Sequence, residues 1–135
     1  MKVVIIEDEE FAARRLERMI MEISPEIQVL VRLESVAESV EWFKQNALPD
    51  LIFMDVHLED NLSFAIFDHV TLNCPIVFTT ATDEKSTVVF RQNQLDYLLK
   101  PIGADELRRV IQKYRDGDRQ NWQPIAIEVF RKPDN

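Results

Sequence analysis

Five polar residues stand where apolar runs end, and their types suit phosphoryl chemistry. Glu7 and Asp8 follow "KVVII" (Lys2 to Ile6), and Asp55 follows "LIFM" (Leu51 to Met54). Thr80 closes "IVFTT" (Ile76 to Thr80), and Lys100 follows "DYLL" (Asp96 to Leu99). Brought together, they form a cluster of three carboxylates, one hydroxyl and one ammonium. Two carboxylates about 4 Å apart repel by about 4 kcal/mol at an effective dielectric of ~20, so such a cluster calls for a cation. All-oxygen ligands select Mg²⁺ or a similar hard ion. Lys100 adds positive charge on the other side of Asp55. An ionised Asp55 is then a nucleophile for a phosphoryl group, with Lys100 pairing with a phosphoryl oxygen and Thr80 donating to one.

The elements that must position these residues follow from hydrophobic periodicity. Short runs rich in β-branched residues predict strands at Lys2 to Ile6, Leu51 to Met54 and Ile76 to Thr80, and "DYLL" predicts a fifth. Ile27, Val29, Val31 and Leu33 alternate with other residues, which predicts a half-exposed edge strand. Ala12, Leu16, Met19, Ile20 and Ile23 predict a helix closed by Ser24-Pro25. "SVAE" (Ser35 to Glu38) is a capping box opening a second helix, with Val36, Val40 and Phe43 on one face. Further helices are expected around Leu62 to Leu72, with Leu62, Ile66 and Val70 in register on the buried face, from about Asp83 to Gln92, and through Leu107, Val110, Ile111 and Tyr114. Five strands alternating with five helices imply right-handed crossovers and an α/β, doubly wound parallel sheet of flavodoxin-like order 2-1-3-4-5. Ligands of such sheets bind beyond the carboxyl ends of the strands, where the five residues lie.

Composition narrows the classes. The chain has 135 residues, 46% of them hydrophobic, which is enough for one globular domain with a core. No apolar run approaches the roughly 20 residues of a membrane span, and the start turns acidic after four apolar residues, so neither a span nor a signal peptide is expected. One cysteine, Cys74, cannot form an internal disulfide, and a cytoplasmic protein fits. The net charge of −8 argues against phosphate contacts with nucleic acid and suits a cation or a basic partner. No GxxxxGK[ST] or GxGxxG occurs, and "EDEE" would repel a phosphate after the first strand. A dehalogenase-type phosphatase would carry a second Asp two residues after its nucleophile, where this chain has His57. After Arg115 the character changes: residues 117–135 hold one apolar patch, Ile125 to Phe130, and are expected to be a linker or the start of a missing output domain.

With these residues in hand, residues 2 to 116 resemble the receiver domain of bacterial response regulators, the CheY-like family. "VIIEDEEFAARRL", "DLIFMDVHL", "IVFTTATDE" and "DYLLKPI" each match a family motif, in the right order. "DYLLKPI" with "FTTATDE" is most similar to receivers joined to a LytTR-type DNA-binding domain. The resemblance implies Asp55 as phosphoacceptor and a histidine kinase as donor. It implies Mg²⁺ held by Glu7, Asp8, Asp55 and the backbone carbonyl of His57. It further implies Lys100 as the phosphate-binding lysine, Thr80 and Tyr97 as a switch pair, and a cis bond before Pro101. Phosphorylation would draw Thr80 towards Asp55 and Tyr97 inward, changing the face formed by the fourth helix, fifth strand and fifth helix. A partner, a LytTR-type output or a second copy of the domain would read that face. The domain would not be a turnover enzyme on other substrates. This chain departs from the pattern in "HLEDNLSF", which lacks the usual Pro and Gly, and at Lys85, where an aromatic is common. Asp60-Asn61 can supply the missing turn.

Plainer roles exist for the same residues. Glu7 and Asp8 suit a helix start, where carboxylates favour the dipole. Thr80 suits a strand, and Tyr97 suits simple packing. Cys74 and His69 read as structural, Trp42 as packing, Arg108 and Arg109 as a solvated helix face. A phosphorylation-independent interaction module on the same fold is the alternative function. The joint presence of Glu7, Asp8, Asp55, Thr80 and Lys100 favours the phosphoacceptor.

Overall fold

A computed structural model describes residues 1–81 and 86–116. Its strands are β1 (Lys2–Ile6), β2 (Gln28–Leu33), β3 (Leu51–Asp55), β4 (Ile76–Thr80) and β5 (Tyr97–Leu99). Its α-helices are α1 (Glu10–Ile23), α2 (Val36–Gln45), α3 (Ser86–Gln92) and α4 (Ala104–Arg115), with a 3₁₀ helix at Ser63–Asp68. The sheet order is β2-β1-β3-β4-β5, and every pairing is parallel. This is the doubly wound order that strict alternation predicts. All five residues of β3 and of β4 are buried, as central strands require, whereas β2 at the edge buries only Leu33 fully.

The sheet separates two apolar layers. Val3, Ile5, Phe53 and Val77 face α1 and α4, meeting Leu16, Ile20, Leu107 and Ile111. Val4, Ile6, Ile52, Met54 and Phe78 face the other way, against Val36, Phe43, Ile66 and Phe90. Alternate side chains of one strand therefore serve opposite cores. In α1 the buried stripe is Ala13, Leu16 and Ile20, so Ala13 rather than Ala12 leads it. Ser24 ends that helix with its N–H on the Ile20 carbonyl, as the Ser-Pro stop predicts. In α4, Asp105 and Glu106 occupy the first turn and Lys113 and Arg115 the last, each sign favoured by the helix dipole.

The helix expected around Leu62 to Leu72 is the main correction. Only the six residues Ser63–Asp68 are helical, in 3₁₀ geometry. The segment is pinned at its start, where the Ser63 N–H bonds the Val56 carbonyl. Pro75 then pushes Cys74 out of helical conformation just before β4 begins. Leu62, expected on the buried face, is exposed and pairs with His57 in an isolated bridge. Ile66 alone of the predicted register is fully buried. Of the helix expected from about Asp83, Ser86–Gln92 is described. Residues 83–85, with Lys85 among them, and residues 117–135 lie outside the described residues.

Candidate functional site

The strand ends deliver the candidate residues to one edge of the sheet. Glu7 continues the β1–β2 ladder by one rung, its N–H on the Leu33 carbonyl at 2.9 Å. Asp55 is the last residue of β3, paired across to Thr79 of β4. Thr80 stands one residue further out, paired to Leu99. Lys100 extends the β4–β5 ladder, its N–H on the Thr80 carbonyl at 2.8 Å. The Lys100–Pro101 peptide bond is cis, as the motif implies. Each backbone is thus held by a ladder bond up to the residue that carries the functional group.

Carboxylate oxygens of Glu7, Asp8 and Asp55 lie within 4.8 Å of one another. Glu7 and Asp55 are only 5% and 6% exposed, while Asp8 is half-buried. The Lys100 ammonium sits between two of them, 2.5 Å from Glu7 Oε1 and 2.9 Å from Asp55 Oδ2. The remaining oxygens are partly engaged: Glu7 Oε2 accepts the Glu9 N–H at 3.2 Å, and Asp55 Oδ1 accepts the His57 N–H at 3.3 Å. One ammonium faces three carboxylates, and the acids show it. Burial pushes the Glu7 carboxyl up, Lys100 pulls against that, and Asp55 adds to it. Burial and the neighbouring Glu7 carboxylate likewise raise Asp8. Burial works against the Lys100 ammonium, but Glu7 and Asp55 outweigh it and hold its pKa above the ordinary lysine value.

The donor set fits a small hard cation. Octahedral coordination at about 2.1 Å places ligand oxygens about 3 to 4.2 Å apart, close to the observed grouping. Glu7, Asp8 and Asp55 are therefore the group that can hold a divalent ion. His57 is exposed, consistent with a solvent-facing imidazole, and its backbone is tied to Asp55.

The two switch candidates are placed differently. Thr80 is 1% exposed, and its hydroxyl donates to the Ala81 carbonyl at a long 3.5 Å. Tyr97 is half-buried and packs at 5.6 Å on the ring of Phe90, which stacks on Phe78 at 4.6 Å. Phe78 and Tyr97 are register partners on β4 and β5, so the ring row runs beside the strand that ends at Thr80. Two further contacts escaped the sequence reading. Glu7 shares Lys100 with Asp55. Asp60 bonds the first amides of α2. An acid in a loop with no turn-forming Gly was the available signal, but its target is remote in sequence.

The chain is similar to known proteins over most of its length. The response regulator receiver domain profile matches residues 3–112. "Sensory transduction protein LytT" of Enterococcus faecalis is 34% identical over 116 residues, covering 84% of this chain and 47% of that protein. "Transcriptional regulatory protein LytR" of Staphylococcus aureus is 32% identical over 135 residues, covering 96% of this chain and 54% of that protein. The chain spans about half the length of the curated relatives it matches. Among solved structures, the response regulatory domain of mrkE from Klebsiella pneumoniae superposes with a TM-score of 0.74 at 25% identity, covering 89% of this chain and 99% of that one.

Proposed function

The chain belongs to the response regulator receiver domain family, and from that premise we propose that Asp55 accepts a phosphoryl group from the phosphohistidine of a histidine kinase. The observation that carries this reading is the Lys100 ammonium, bonded at once to Asp55 and Glu7 within a group of three carboxylates. In the reaction an oxygen of ionised Asp55 forms the new bond to phosphorus. The phosphorus–nitrogen bond of the donor breaks, and the histidine nitrogen takes up a proton. Lys100, already 2.9 Å from Asp55 Oδ2, stays beside the reacting group and pairs with a phosphoryl oxygen. Glu7, Asp8, Asp55 and the His57 carbonyl would hold Mg²⁺, which would supply positive charge to offset the phosphoryl oxygens beside a carboxylate.

The long Thr80 bond to Ala81 is weak and exchanges readily for a bond to a phosphoryl oxygen. Tyr97 then turns further inward along the aromatic row, and the surface around α3, β5 and α4 is read by a partner. The names of the relatives, a sensory transduction protein and a transcriptional regulatory protein, support a transcriptional output. A LytTR-type DNA-binding domain reached through residues 117–135 is that output, with residues 1–116 acting as the receiver and pairing with a second copy on phosphorylation. The setting is the cytoplasm, where a histidine kinase's phosphohistidine would be met. Among the described residues no helix is long and apolar enough to cross a membrane. The domain acts once per phosphoryl group and is not a turnover enzyme on other substrates.

The test is a small-molecule phosphodonor with Mg²⁺, read by intact mass. One phosphoryl group is expected on the wild type and none on Asp55→Asn. Equal labelling of the two proteins would remove the reading.

A further inference from the structure

The loop after β3 holds its shape without Pro or Gly. Its base is closed by the Ser63 N–H on the Val56 carbonyl at 2.9 Å and the Leu58 N–H on the Asn61 carbonyl at 3.0 Å. His57 and Leu62 pair as an antiparallel bridge across it. At its tip, Asp60 reaches out of the loop altogether. Its Oδ1 accepts the Val36 N–H at 2.9 Å and its Oδ2 the Ala37 N–H at 3.1 Å. These are the first two amides of α2, which its own N-cap does not reach. Ser35 Oγ accepts only the third, from Glu38, at 3.0 Å. A helix start leaves such amides orphaned, and a carboxylate is the acceptor that the dipole favours. Those two amides hold the Asp60 carboxyl below the usual carboxylate range.

The loop is therefore anchored twice. Its near end is tied to Asp55 through the His57 N–H, and its tip is tied to α2. Only Glu59 and Leu58 separate the tip from His57, so the His57 backbone has little freedom while both anchors hold. We propose that Asp60 is a positioning residue, clamping the loop to α2 so that the His57 carbonyl is held where a cation at Asp55 needs it. The inference rests on the metal-site reading given above. Groups that orient a ligand from behind commonly change metal affinity 10–100-fold when removed. A simple capping role would change helix stability alone, and Ser35 supplies the control, because its hydroxyl caps the same helix through the Glu38 N–H rather than through the loop.

The experiment measures Mg²⁺ affinity of the full chain by titration calorimetry, with thermal melts in chelator alongside. Asp60→Ala is expected to bind about ten-fold more weakly. Asp60→Asn, which keeps one acceptor oxygen, should fall between it and the wild type. Ser35→Ala should melt at a lower temperature with wild-type affinity. Should Asp60→Ala fail to fold, Asp60→Asn carries the same comparison against Ser35→Ala. Wild-type affinity in the Asp60 variants, or an equal loss in Ser35→Ala, would overturn the clamp and leave the metal site standing. A wild type that binds no Mg²⁺ would overturn the metal site and the clamp with it.

Discussion

Asp8→Asn should make the metal-free protein more stable. Asp8 has a carboxylate oxygen within 4.8 Å of those of Glu7 and Asp55, while Lys100 bonds the other two acids and not Asp8. At that separation one like-charge pair costs about 3.5 kcal/mol at an effective dielectric of 20, and about 0.9 kcal/mol at that of water. Asp8 is half-buried, so solvent screening places the relief near the lower figure per neighbour. Against it stand the attraction of the Lys100 ammonium for Asp8 and the favourable dipole of α1, which begins two residues later and is worth about 0.3–1 kcal/mol to a carboxylate. The net is at most about 1 kcal/mol, or at most about 3 to 4 °C in melting temperature for a domain of this size. Raised folded-state pKa values at Glu7 and Asp8 fix the sign of the pH dependence. Their contribution to stability is fully present below the ordinary carboxyl range, about pH 4, and is lost as pH rises through the raised values. The advantage of Asp8→Asn should therefore be present at pH 7 and vanish towards pH 4. Mg²⁺ at ten times its dissociation constant should stabilise the wild type by about 1.4 kcal/mol, cancelling the advantage. Differential scanning calorimetry in chelator and in Mg²⁺ reads all of this. An Asp8→Asn protein that melts below the wild type in chelator at pH 7 would refute the charge argument.

Three other outcomes can be measured on the same protein. Lys100→Ala leaves Glu7 and Asp55 buried without their shared counter-charge; it should lower stability by about 1–2 kcal/mol, less than for a fully buried pair because Lys100 is partly exposed, as a denaturant midpoint would show. In a binding assay the same variant should still take Mg²⁺ but lose any effect of phosphorylation on partner affinity. Burial pushes the Cys74 thiol up to about 12, so a thiol reagent at pH 8 should label the native protein far more slowly than the protein in urea; equal rates would show that the β4 end of the core opens freely.

Much of this architecture was legible because the strands are written without ambiguity. Runs such as "LIFM" and "IVFTT" are apolar on both faces, and only a central parallel strand buries both. The candidate site followed, since its residues stand immediately after those runs. The segment after Leu62 looks like a full helix in sequence because Ile66 and Val70 keep helical spacing, while what limits the helix is a backbone bond to Val56 and the approach of Pro75. In sequence Asp60 has only the look of a turn residue. Its partners lie 24 and 23 residues away, and local pattern carries no record of a contact between a loop and a remote helix start. The sharing of Lys100 by Glu7 was hidden for the same reason: spacing places groups at one edge of a sheet but does not say which oxygen an ammonium will choose.

The burial of β3 and β4 throughout, and of β1 from Val3 onwards, leaves a question that the acids answer. Where a strand is apolar on both faces, sliding it by one residue still leaves oily side chains on each face, so hydrophobic burial marks the register less sharply than it does in a half-exposed strand. Sliding β3 inward, however, would draw Asp55 between β1 and β4, away from Lys100 and into hydrocarbon, at a cost of several kcal/mol. Glu7 forbids the same slip in β1. The charged residues at the strand tips thus act as end-stops on the ladder, and the chain's signalling chemistry doubles as the mark by which its sheet finds alignment.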